Sequence, residues 1–249
     1  MREKNVDIPT RDGQMDTFIC HPEDDGPFPA VILYMDAPGI REELRDMARR
    51  IGTVGYYVVL PNLYYRSVRA DKPLFDGSRA QPTDDERKKM WSLMKSIADN
   101  SLLISDTAGL LDFLSSEDKA SPPPYGCVGY CMSGQYVFSM AGAYPEKFTA
   151  AASIYGVGLI TDRPDSPHLL AENIKAELYL AFAEVDEYVP EQVLAELPAV
   201  LDEHSIEYRI EVHAGTEHGF AFPNRHCYDK QAAERHWERL FALFRRRLS

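Results

Sequence analysis

The strongest constraint on this chain is an alternation: short apolar, β-rich runs are followed, again and again, by stretches with helical periodicity. Residues 30–34 form an apolar run, and behind it Ile40, Leu44, Met47, Ala48 and Ile51 fall on one helical face. Residues 56–60 read as a buried strand stopped by Pro61. Thr83 is placed to cap a charged helix reaching about residue 98, and 101–114 reads as another helix. Further strands are expected at 125–129, 150–155, 178–183 and 208–213, with helices at 132–143, 191–204 and 231–248. Weaker strand signals lie at 6–8 and 16–20. Strand–helix alternation of this kind predicts an α/β fold, a mostly parallel central sheet covered by helices on both faces. With no internal repeat or linker, and Pro122–Pro124 reading as a loop, residues 1–249 are expected to form a single domain.

Charge narrows the function. Lys and Arg number 27 against 39 Asp and Glu, a formal net charge of −12. Such a chain is a poor match for general nucleic-acid binding, which rests on neutralising phosphates, or for a polybasic membrane anchor. No apolar stretch approaches a membrane span, and the charged start leads into no signal core. The cysteines Cys20, Cys127, Cys131 and Cys227 are dispersed without a CxxC pair, so a reduced, cytoplasmic chain is expected. The spacing of His213, His226, Cys227 and Asp229 matches no standard metal site.

The reactive residues fall where strands end, which is where open α/β sheets meet their ligands. Gly129-Tyr130-Cys131-Met132-Ser133-Gly134 joins a strand to a helix; a sharp turn there raises a nucleophile above the sheet. The helix N-terminus favours a thiolate at Cys131, and the backbone N–H of Met132 is placed to donate to an oxyanion. Asp186, flanked by Glu184 and Glu187, follows one later strand, and His218 follows another. Nucleophile, acid and histidine thus occur in hydrolase order, with His218 moving the proton and Asp186 fixing the imidazole.

With these blocks in hand, the sequence resembles the dienelactone hydrolase family, cysteine-using members of the α/β-hydrolase superfamily. The likeness runs through 61–66 (PNLYYR), 129–134 (GYCMSG), 155–159 (YGVGL), Asp186 and His218-Gly219-Phe220. It implies an α/β-hydrolase fold, a Cys131–His218–Asp186 triad and hydrolysis of a small-molecule ester or enol-lactone, with no metal or organic cofactor.

The chain also departs from that family's pattern. Ser133 stands where a glycine is usual. Asp36 replaces a glutamate that governs the thiol in the family; its alternative role is that of an acid opening a turn or helix. Ala37 is the expected second oxyanion donor. The family's substrate-carboxylate arginine, four positions beyond the histidine, is here Phe222, and a second matches Lys88, in a stretch that also reads as a solvated helix face. Tyr64, Arg66, Tyr155, Phe220 and Phe222 are the remaining candidate substrate contacts, the aromatic ones serving equally as core. A less carboxylate-dependent substrate is therefore expected. Competing readings are a catalytically silent fold that binds a small ligand, and a redox-responsive thiol protein.

Overall fold

A computed structural model describes residues 1–72, 74 and 83–248. Its first two strands, β1 (Arg2–Thr10) and β2 (Gly13–His21), pair antiparallel from Arg2↔His21 to Thr10↔Gly13. Both are longer than the weak sequence signals; β1 lies mostly in solvent and buries only Ile8, leaving little apolar alternation to read. Six further strands are parallel to one another: β3 (Ala30–Tyr34), β4 (Tyr57–Pro61), β5 (Tyr125–Tyr130), β6 (Phe148–Ile154), β7 (Glu177–Val185) and β8 (Tyr208–Glu217). β2 joins them antiparallel to β4, giving the order β1-β2-β4-β3-β5-β6-β7-β8.

Every residue of β3, β4 and β5 is buried, as continuous apolar runs in a parallel sheet require. The covering helices are α1 (Glu42–Thr53), α2 (Asp84–Ser96), α3 (Asn100–Ser116), α4 (Gly134–Ala143), α5 (Glu191–Glu203) and α6 (Lys230–Arg247). Thr83 caps α2 in a reciprocal box with Glu86, while Asp99 and Asp229 cap α3 and α6. Strand β5 shows both faces in use. Tyr130 bonds His236 of α6, and a Cβ on Gly126 would meet Phe244 of α6, whereas one on Gly129 would meet Val137 of α4.

The consequence for chemistry is positional. Strands β3, β5, β7 and β8 end at Tyr34, Tyr130, Val185 and Glu217, and Asp36, Cys131, Asp186 and His218 follow each within two residues. Strand β8 runs past the expected stop at 213. His218 is therefore carried at a strand end, one residue beyond the ladder, which limits its freedom. Among the described residues no helix is long and apolar enough to cross a membrane.

Candidate active site

Cys131 opens a short 3-10 turn, Cys131–Ser133, between β5 and α4, and its φ is 56°. A left-handed conformation in a residue with a Cβ costs about 1–3 kcal/mol and needs a surrounding structure that enforces it. Two glycines do so by close approach. A Cβ on Gly129 would stand 2.5 Å from the Ser133 carbonyl oxygen, and one on Gly134 would stand 2.2 Å from the Gly156 Cα. Ser133 is fully buried, and its hydroxyl donates to the carbonyl of Met35, tying the turn to the segment that carries Asp36 and Ala37. Tyr64 adds a second tie: its hydroxyl donates to the Ala37 carbonyl at 2.9 Å and approaches Met132 Sδ at 3.4 Å. The two candidate oxyanion loops are thus braced against each other. Here the serine in the glycine position supplies a bond that glycine lacks.

The imidazole of His218 lies against this turn. Its Nδ1 is 2.8 Å from Asp186 Oδ2, and Asp186 Oδ1 accepts the Tyr188 N–H at 3.0 Å. The flanking acids act elsewhere: Glu184 accepts the Gly215 N–H at 2.7 Å, and the Glu187 carboxylate pushes the Tyr188 phenol up. With Nδ1–H donating to a carboxylate, Nε2 is the other position, and among the described residues it is buried without a hydrogen-bond partner. Burial opposes a charge on the ring, but the bond to Asp186 and then the sulfur of Cys131 override it, pushing the imidazole up from 6.5 to about 9. The side chains of His218 and Asp186 are only 9% and 3% exposed. Charge–charge interaction between them is correspondingly little screened.

A second cluster surrounds Asp36, which is fully buried. Arg41 grips both its oxygens, at 2.6 and 3.1 Å, and Arg225 donates to Oδ2 at 2.7 Å. Arg41 also bonds Glu43 at 2.8 Å. Both guanidinium groups lie over the ring of Phe222, at 4.9 Å for Arg41 and 4.8 Å for Arg225, on the scale of cation–π contacts. The cations that the pattern lacks at 222 are thus present, but they arrive from 41 and 225. Gly219 makes room: its φ is 96°, and a Cβ there would stand 2.8 Å from an Arg225 guanidinium nitrogen. Neither arginine was identified from sequence, because what assembles them is the fold; the spacing of Arg225 from His218 matches no pattern.

Several expected substrate contacts do not reach the site. Arg66 is bound bidentately by buried Asp106, at 2.8 and 2.7 Å, and also by Asp12, so it is an internal tie between α3 and the β1–β2 turn. Lys88 stands 80% exposed on α2, 3.7 Å from Asp85, because its helix face is solvated. Tyr155, Phe220 and Phe222 are 0% exposed and Tyr64 is 1% exposed. These four aromatics back the site and present almost no surface to a ligand. Tyr155 packs its ring against His218, with centroids 4.9 Å apart, and Phe220 packs on Tyr155.

Comparison with known proteins follows the same outline. The model of the dienelactone hydrolase family matches residues 15–248. A relative from Synechocystis sp., named "Putative carboxymethylenebutenolidase", is 25% identical, over 98% of this chain and 96% of its own. Among solved structures, one from Klebsiella pneumoniae described as a "Putative Dienelactone Hydrolase" superimposes with a TM-score of 0.85 at 20% identity, covering 98% of both chains. A metagenomic protein described as a dienelactone hydrolase-like promiscuous phosphotriesterase gives 0.80 at 17% identity, over 100% of this chain and 99% of its own. The architecture is the α/β-hydrolase fold.

Proposed function

Because the chain belongs to the dienelactone hydrolase family, we propose that it is a cysteine-dependent hydrolase of a small ester or enol-lactone, acting through Cys131, His218 and Asp186. One observation carries this reading: a left-handed cysteine turn acts on an imidazole held by Asp186 on one nitrogen, while the other nitrogen is buried and, among the described residues, unbonded. The Cys131 sulfur attacks the ester carbonyl carbon, and the backbone N–H groups of Met132 and Ala37 receive the developing oxyanion. The C–O bond then breaks, and His218 Nε2–H protonates the departing alkoxide, leaving a thioester. Water attacks the thioester carbonyl and gives a proton to the now neutral His218. The acid departs, and the thiolate–imidazolium pair is restored. Asp186 holds the ring in the orientation and charge state this exchange requires.

Control of the thiol by Asp36 enters indirectly. Among the described residues Asp36 bonds Arg41 and Arg225 and makes no hydrogen bond to Cys131, while Arg225 is influenced by the charges of both Asp36 and Cys131. The guanidinium of Arg225 is therefore the link through which Asp36 acts. The four charges of Asp36, Glu43, Arg41 and Arg225 cancel, so the cluster offers no surplus positive charge for a substrate carboxylate. A neutral or weakly anionic ester fits this balance better than a dianion. The test is a panel of dienelactones, aryl esters and alkyl esters offered to wild type and Cys131→Ala. Hydrolysis that vanishes with Cys131, in a variant whose circular dichroism and melting curve match wild type, supports the proposal; undiminished turnover in Cys131→Ala overturns it.

A further inference from the structure

We propose that Tyr188 walls the leaving-group side of the site and gives the enzyme a preference for esters whose departing alcohol carries a flat aromatic ring. This rests on the Cys131–His218–Asp186 reading above and adds to it a specificity-determining residue.

The departing oxygen takes its proton from His218 Nε2, so the leaving group must lie within hydrogen-bond reach of that nitrogen at the moment the C–O bond breaks. Among the described residues two tyrosine rings flank the imidazole. Tyr155 lies on it from the protein side, with centroids 4.9 Å apart, and is 0% exposed. Tyr188 meets it at the same 4.9 Å, edge to face at 68°, yet is 47% exposed. Tyr188 is thus the ring beside the imidazole that has area left for a ligand.

Its position is fixed before any ligand arrives. The Tyr188 N–H is bonded to Asp186 Oδ1, and the next residue, Val189, is buried and donates its N–H to the Asp186 carbonyl at 3.3 Å. Burial, the Glu187 carboxylate and the nearby charges of Cys131 and Asp186 all push the phenol up, so the ring is neutral at physiological pH. The influence of Cys131 on this phenol also puts the ring within electrostatic reach of the sulfur where chemistry begins. A preordered aromatic surface of this kind stacks or meets edge-on with a flat ring, and little ordering entropy is lost on binding.

Benzyl and ethyl esters of one short acid test this, because both release alkoxides of similar basicity and form the same acyl-enzyme. Wild type is expected to favour the benzyl ester in kcat/KM, and Tyr188→Ala to lower that value about five- to tenfold while the ethyl ester changes less than about threefold. Tyr188→Phe should keep the preference. If Tyr188→Ala slows both esters equally, or moves the pH profile of the remaining activity, the ring merely supports His218 and the specificity role is refuted. Cys131→Ala separates the two levels of the argument. An inactive Cys131→Ala beside an unselective effect of Tyr188→Ala removes only the Tyr188 assignment; an active Cys131→Ala removes the cysteine mechanism and this proposal with it.

Discussion

Replacing Asp186 with asparagine removes one charge while keeping the side-chain shape, and the structure says what should follow. In the folded protein the imidazole of His218 titrates at about 9 instead of 6.5, against a burial effect that pulls the other way. At about 1.4 kcal/mol per pH unit, the site favours imidazolium by roughly 3 kcal/mol. The bond to Asp186, 2.8 Å long and nearly out of solvent, is the largest of the contributions that raise it. Without that carboxylate the largest contribution raising the ring is gone and burial is opposed only by the sulfur of Cys131, so the ring should titrate well below 9. An asparagine amide pointing at Nδ1 would also favour the wrong tautomer. Loss of the acid in the comparable serine triad costs about 10⁴ in turnover; a thiol ionises more readily than a hydroxyl, so about 10²–10⁴ in kcat/KM is expected here. The assay is kcat/KM for a soluble aryl ester from pH 5.5 to 10. Wild type should lose activity above about pH 9, as the imidazolium is deprotonated, and Asp186→Asn should show that alkaline limb shifted to lower pH. Stability should follow with a defined sign. A raised folded-state pKa stabilises the protein fully below 6.5 and no longer above about 9, so the melting-temperature gap between wild type and variant should be widest in acid and close as pH rises. An unchanged rate with an unchanged alkaline limb would refute the reasoning.

Three other outcomes are expected. Gly134→Ala should cost several kcal/mol or abolish folding, since the new Cβ would stand 2.2 Å from the Gly156 Cα, where backbone cannot yield cheaply; urea unfolding measures this. His236 is fully buried, donates Nδ1–H to the Ala233 carbonyl at 2.5 Å, accepts the Tyr130 hydroxyl, and is held down to about 3 by burial, so the folded state stays neutral where the unfolded state takes up a proton. Lowering the pH from 7.5 to 5 should therefore cost about 2 kcal/mol of stability through this residue, a dependence that His236→Gln should remove from denaturation curves. Matched esters with and without a free carboxylate should be hydrolysed within about tenfold of each other, because the Asp36–Arg41–Arg225–Glu43 cluster is neutral; a preference for the anion above about a hundredfold contradicts this.

The parallel sheet was legible because β3, β4 and β5 are buried on both faces and so carry unbroken apolar runs. Strand β1 was only faintly visible, since a strand with solvent on most of its residues leaves no such run. In the site, legibility followed the chain: Cys131, Asp186 and His218 each sit directly after a strand, so local pattern and order point to them. Charge partnerships were not legible. Arg41, in the segment before α1, and Arg225, in the loop before α6, meet on Asp36 and Phe222 only when the sheet brings their loops together. Arg66, by contrast, lies in a motif-like stretch yet answers to Asp106 and Asp12. The position of Phe222 between two guanidinium groups also changes what a substitution there would mean. Phe222→Arg, the replacement that sequence alone recommends for a carboxylate site, would force a third cation between Arg41 and Arg225.

Cys131 is expected to carry the acyl group during turnover. Rapid acid quenching during turnover of a slowly deacylating aryl ester, followed by peptide mass spectrometry, reads it directly. The account predicts a mass increase equal to the acyl group on the peptide holding Cys131, sensitive to hydroxylamine and absent from Cys131→Ala. Acylation of Ser133 or another residue in its place, or steady turnover by Cys131→Ala, would contradict it.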